Sequence, residues 1–184
     1  MRLPHALRKN SPCTQFLKVV IFLISPALTV ALVFIFVWRP MMIAGSSMEP
    51  TIHEDDRVLC SLRSYRSTHH PKRGDIIILY PPTQAYPGQT YIKRIMGLPG
   101  EIIDVDSHGS VTINGNPLDE PYLSDSRFLP PSTPSAHFVI PQGSYYVLGD
   151  HRESSNDSRN FGPISADRIM GKSVLRYWPS FELF

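Results

Sequence analysis

Between positions 19 and 38 the chain carries no charged residue, and nearly every side chain there is apolar. About 20 such residues, wound as a helix, match the ~30 Å hydrocarbon core of a bilayer. The run is apolar all round, whereas a helix on the surface of a soluble domain keeps a polar face. It is too long for the core of a cleaved signal peptide, and it ends in Phe36-Val37-Trp38-Arg39 rather than in small residues. Ser25-Pro26 can kink such a helix, a break that hydroxyls and neighbouring backbone tolerate in lipid. The run therefore predicts one transmembrane helix over 19–38, with Trp38 and Arg39 at the interface. Residues 1–18 contain Arg2, Arg8, Lys9 and Lys18 and no acid. That basic flank predicts a cytoplasmic amino end and places residues 39–184 on the far side.

Beyond Met41 the pattern changes to short apolar or alternating runs divided by Pro, Gly and Asn. Expected strands cover 57–62, 76–80, 91–96, 101–105, 111–113, 138–140, 145–148 and 174–177. Polar or Pro/Gly-rich segments at 63–73, 81–88 and 117–136 read as loops, and Asn114-Gly115 as a hairpin turn. Many short strands without amphipathic helices between them predict a mainly β domain, an antiparallel barrel or sandwich. A net charge of +2 supplies no basic field for nucleic acid. Cys13 and Cys60 flank the apolar run, so they cannot pair within one chain if that run spans a membrane. No metal-ligand spacing such as C-x-x-C or H-E-x-x-H occurs, and His69-His70 reads as a solvated pair, so neither metal nor cofactor is expected.

Three segments carry chemistry. In Gly45-Ser46-Ser47-Met48-Glu49-Pro50-Thr51, Pro50 keeps the preceding residue out of a helix and leaves Ser47 on an irregular segment. Taken alone, Ser47 is a turn serine. In Tyr91-Ile92-Lys93-Arg94-Ile95-Met96 a lysine stands inside a strand, sharing a face with Tyr91 and Ile95, while Arg94 points to the other face. Alone, Lys93 is a solvated strand lysine. A serine hydroxyl is a weak nucleophile until a base takes its proton. A lysine can be that base only if burial or a nearby cation lowers its pKa from about 10.4. The third segment, 149–162, includes Gly149-Asp150-His151-Arg152 and Ser155-Asn156-Asp157-Ser158-Arg159 and by itself reads as a polar loop.

In this order, behind one apolar span, these segments resemble the nucleophile, base and carboxy-proximal boxes of the type I signal peptidases, the prokaryotic-type Ser-Lys leader peptidases. Gly74-Asp75 before an apolar strand and the Gly171-Lys172…Tyr177-Trp178-Pro179 ending match further boxes. The lysine at 93 separates the chain from the endoplasmic-reticulum branch, which has histidine there. The spacing and Arg39-Pro40 are similar to cyanobacterial and thylakoid members.

The resemblance implies a membrane-bound serine endopeptidase that removes signal peptides from exported preproteins, cutting after Ala-x-Ala-type sites. It implies Ser47 as nucleophile, Lys93 as general base and Ser155 as the hydroxyl that bonds and orients the lysine. Asp157 and Arg159 become a buried ion pair holding the loop, and Asp150 steadies the turn. The implied partners are preproteins and the lipid bilayer, with the chain monomeric. The implied location is the plasma membrane with the catalytic domain outside, or alternatively the thylakoid membrane. Two readings stand beside this one: a maturation peptidase of the same family with few substrates, and an inactive signal-peptide-binding membrane protein. Two positions depart from the family pattern. Gly45 stands where some members have a serine that helps bind the oxyanion, leaving the Ser47 N–H as the firm donor. His151 replaces an asparagine and is assigned no catalytic role.

Overall fold

The computed structural model describes residues 12–65, 69–82, 88–123 and 135–184, in two compact units, Met1–Val37 and Trp38–Phe184. Parts of the expected loops, residues 66–68, 83–87 and 124–134, lie outside the described residues, as do positions 1–11 of the basic flank.

The described part of the first unit is a helix, α1, Pro12–Val37. It begins before the uncharged run, with proline in its first turn, where the missing N–H would be unpaired in any case. It continues through Pro26, and beside that proline Thr29 Oγ1 donates to the Ser25 carbonyl at 2.8 Å. Within its segment Gln15–Val37 the most apolar 18-residue window has a mean hydropathy of 2.8. At 1.5 Å per residue that segment is about 35 Å long, enough to cross a ~30 Å hydrocarbon layer. Phe16, Phe22, Val30 and Phe36 are exposed on it.

The second unit is mainly antiparallel β. Trp38, expected at the end of the span, instead opens β1 (Trp38–Met42), which pairs with β2 (Arg57–Ser61). The other strands are β3 (Ile76–Leu79), β4 (Tyr91–Gly97), β5 (Ile102–Val105), β6 (Val111–Ile113), β7 (Asn116–Pro117), β8 (Ala136–Val139), β9 (Ser144–Leu148), β10 (Ile164–Ser165), β11 (Ile169–Trp178) and β12 (Glu182–Leu183). The larger sheet runs β1-β2-β11-β3-β4-β9-β10, with β12 alongside β11, and the smaller runs β7-β6-β5-β8. A short helix, α2 (Ser158–Phe161), lies within the 149–162 segment. The expected strand at 174–177 is only the far end of β11. That strand starts at Ile169 because Gly171 lets it pass close to β2: a Cβ there would stand 2.2 Å from the Ser61 carbonyl oxygen.

Among the described residues three apolar clusters fill this unit, and the central strands serve two each. Ile76 and Ile78 of β3 face one cluster with Met48, Ile52 and Val58, while Ile77 and Leu79 face another with Ile95 and Val147. Such a strand has no solvent face, which explains its unbroken apolar run. β9 likewise sends Tyr145 and Val147 to one cluster and Tyr146 and Leu148 to that of the smaller sheet. β4 lies between β3 and β9, so its side chains are buried on both faces whatever their polarity.

Candidate active site

The segment after β1 is a tight turn pinned from below. Met48 and Ile52 are fully buried in the cluster beneath β3, and the Ile52 N–H donates to the Met48 carbonyl at 2.9 Å. Gly45 takes φ = +94°, a conformation that L side chains rarely adopt. With Met48 anchored in the core, its half-buried neighbour Ser47 lines a cleft of about 420 Å³, together with Met41, Ile43, Tyr91, Lys93 and Asn156.

Lys93 sits opposite Ile77 across the β3–β4 ladder and is only 3 % exposed. Its Nζ lies 2.6 Å from Ser47 Oγ and 5.3 Å from the centre of the Tyr91 ring. Burial pulls its pKa down from 10.5 to about 8, against the opposing charges of Asp157 and Asp150 and with help from Arg159. At pH 8 about half of such an amine is neutral, against roughly 0.3 % of an ordinary lysine. The lowering cation is thus Arg159 of the distant loop. Arg94, next in sequence, turns to the opposite face as the strand alternation requires.

Arg94 grips Asp150 with two hydrogen bonds, Nε to Oδ1 at 2.9 Å and Nη2 to Oδ2 at 2.6 Å, and donates to the Gly74 carbonyl at 3.0 Å. Asp150 Oδ2 also accepts from the Thr51 hydroxyl at 2.6 Å. One carboxylate therefore joins the turn after Ser47, the Lys93 strand and the 149–162 loop. Asp75, next to Gly74, is held by Lys172 at 2.7 Å and by the Tyr65 hydroxyl at 2.9 Å.

The 149–162 loop reaches the Ser47 turn through Gly149. A Cβ there would meet Ser155 Oγ at 2.2 Å and the Ser47 carbonyl oxygen at 2.3 Å, so no larger residue permits this approach. Asp157 and Arg159 form a fully buried pair at 2.8 Å, and Asp157 Oδ2 also accepts from the Gly149 N–H at 3.0 Å. Ser158 Oγ accepts from the Val147 N–H at 3.0 Å, fastening α2 to β9. The expected bond from Ser155 to Lys93 is not formed. Ser155 Oγ is buried against Gly149 without a hydrogen-bond partner, and the lysine's bond goes to Ser47.

The structure adds supporting residues that the sequence did not suggest. Arg152, in a 3-10 turn over Arg152–Ser154, is buried and ion-paired with Glu120, and it also donates to the carbonyls of Gly109 and Gly149. Tyr122 donates to Glu120 at 2.6 Å and stacks on the Arg94 guanidinium, 3.8 Å from its ring centre. Glu120 and Tyr122 lie in the segment expected to be loop, where spacing carries no signal. His151 donates its backbone N–H to the Ser47 carbonyl at 3.1 Å, and its ring Nδ1 lies 3.2 Å from the Ser46 carbonyl oxygen. The N–H of Ser47 itself donates to no described residue, while that of Gly45 bonds Glu54 Oε1 at 3.2 Å.

Residues 14–178 match the family model for signal peptidase, peptidase S26. The chain is 37 % identical over 181 residues to a Synechocystis protein named Probable signal peptidase I-1, covering 94 % of this chain and 89 % of that protein. It is 34 % identical over 179 residues to signal peptidase IB of Staphylococcus aureus, covering 88 % and 90 % respectively. A solved signal peptidase I from Enterococcus faecalis V583 aligns at 33 % identity with a TM-score of 0.49, over 58 % of this chain and 98 % of that one. By the family match across nearly its whole length, and by the Synechocystis and Staphylococcus aureus relatives, the chain belongs to the signal peptidase family, peptidase S26.

Proposed function

We propose that the protein is a membrane-bound serine endopeptidase that removes amino-terminal signal peptides from exported preproteins by a Ser47–Lys93 dyad. The observation that carries this reading is the 2.6 Å approach of a buried lysine amine to a serine hydroxyl in an open cleft. Neutral Lys93 accepts the Ser47 proton as Oγ attacks the scissile carbonyl carbon, and the Ser47 N–H donates to the oxyanion that forms. The resulting ammonium returns the proton to the leaving amine, the C–N bond breaks, and an ester to Ser47 remains. Water then attacks that ester, giving its proton to Lys93. Collapse releases the carboxylate, and Ser47 recovers its proton.

Ser155, whose buried hydroxyl lacks a partner, is the orienting group for the amine: an unpaired buried hydroxyl costs about 1–3 kcal/mol, which bonding Nζ would relieve. Asp150, Asp157 and Arg159 hold the loop that carries it. We assign α1 as a single membrane span, with 1–18 cytoplasmic and 39–184 on the far side of the plasma membrane, the thylakoid membrane being the alternative. The substrates are signal peptides with small residues before the cut, typically Ala-x-Ala, and the protein works as a monomer. Incubating the detergent-solubilised protein with a preprotein and sequencing the new amino terminus tests this. Cleavage after the signal peptide, absent in Ser47→Ala, is the expected result. No cleavage by the wild type, or equal cleavage by Ser47→Ala, contradicts it.

A further inference from the structure

The Ser47 N–H is the firm oxyanion donor of the reading above, and the amide that carries it begins at the Ser46 carbonyl. That carbonyl accepts from the Glu49 N–H at 3.0 Å and faces His151 Nδ1 at 3.2 Å. A carbonyl oxygen only accepts, so Nδ1 must carry the hydrogen, which leaves Nε2 bare in the neutral ring. The 46–47 peptide bond is trans, so its C=O and N–H point in opposite directions along one rigid plane. A donor on the C=O side therefore fixes which way the N–H points. It also polarises the amide, making the N–H a stronger donor, as hydrogen bonds in chains do.

We propose that His151 is a positioning residue for the oxyanion: its ring orients and polarises the Ser46–Ser47 amide whose N–H faces the transition state. This deepens the proposed function and rests on it. The ring acts on the same peptide unit as the reaction, yet its hydrogen bond goes to the Ser46 carbonyl, while the Ser47 hydroxyl is bonded by Lys93. Its backbone N–H bond to the Ser47 carbonyl is independent of the side chain and survives any substitution that keeps the backbone. The proposal also explains how histidine can stand where the family pattern has asparagine, because an asparagine amide also offers a short N–H donor in nearly the same place as Nδ1.

An oxyanion donor contributes about 10²- to 10³-fold to turnover. If cooperative polarisation changes one bond by about 10–30 %, losing it should lower kcat by about 2- to 8-fold. The test is steady-state cleavage of a preprotein by the full chain in detergent, comparing wild type, His151→Leu, His151→Asn and Ser47→Ala. His151→Phe keeps the ring's bulk without a donor and serves if His151→Leu does not fold. The expected result is a kcat loss in that range with KM unchanged for Leu or Phe, and recovery to near wild type for Asn. A wild-type kcat in the donorless variant overturns the proposal, as does a loss confined to KM or an Asn variant no better than Leu. If Ser47→Ala still cleaves, the dyad reading itself has failed and this inference falls with it. If Ser47→Ala is inactive, the His151 variants judge the inference alone.

Discussion

The Lys93 amine lies 2.6 Å from the Ser47 hydroxyl, although the two residues are 46 positions apart in the chain. What brings them together is a buried anchor on each side. Met48 seats the turn that carries the serine, and the β3–β4 ladder holds the lysine opposite Ile77. If these two groups share one reaction step, Ser47→Ala and Lys93→Ala should each abolish preprotein cleavage. The double variant should be hardly slower than either single one, because residues acting as a unit are not additive. Lys93→Ala retaining a tenth of wild-type turnover would exclude the lysine as base.

The same burial that lowers the lysine's pKa should be visible as a stability cost. Lys93 titrates near 8 when folded and near 10.5 when exposed, so between these values the unfolded chain binds more protons. Stability from this group is therefore lowest below pH 8 and recovers as pH rises towards 10.5, by on the order of 3 kcal/mol. Lys93→Met, of similar length but uncharged, should melt higher than wild type at pH 7, with the gain shrinking above pH 8. Melting curves at pH 7 and pH 10 check this; a lower melting temperature for Lys93→Met at pH 7 contradicts it.

Glu120 offers a test of the support behind the loop. Glu120→Ala leaves the Arg152 guanidinium buried without its carboxylate, and breaking such a pair from one side costs about 3–5 kcal/mol. Urea unfolding should show that loss. Tyr122→Phe, which loses its hydroxyl bond to Glu120 but keeps the stack on Arg94, should lose only about 1 kcal/mol. Equal losses in the two variants would mean that the ion pair is not what holds the loop.

Much of this site is legible in the chain because its parts are local. The alternation in 91–96 tells which face Lys93 occupies, and Pro50 tells that the Ser47 segment is no helix. The apolar run 76–80 reads as a strand, and the strand formed, Ile76–Leu79, is packed on both faces. The edges β7, β10 and β12 stayed unread because two residues hold no periodicity, and β1 because it follows the apolar run directly. Trp38-Arg39-Pro40 also looked like the end of the span. Glu120 and Tyr122 were hidden for another reason: they meet Arg152 and Arg94 only through tertiary packing, from a segment whose composition says loop. The resemblance led to Ser155, but not to its side-chain geometry. Its hydroxyl rests against Gly149 without a partner, so Ser155→Ala should cost little stability yet slow cleavage strongly if Ser155 orients the amine. Unchanged turnover in that variant would remove it from the site.

The most direct test of the Ser47–Lys93 account is the dependence of kcat/KM on pH for preprotein cleavage by the wild-type protein. A lysine with a depressed pKa is cationic, and so unable to accept a proton, below that value and neutral above it. The rate should therefore rise through a limb near pH 8, where burial sets Lys93. His151→Asn should leave that limb in place, since His151 takes no proton from Ser47. A profile flat down to pH 5, or a limb near 6–7 that disappears in His151→Asn, would contradict a lysine base.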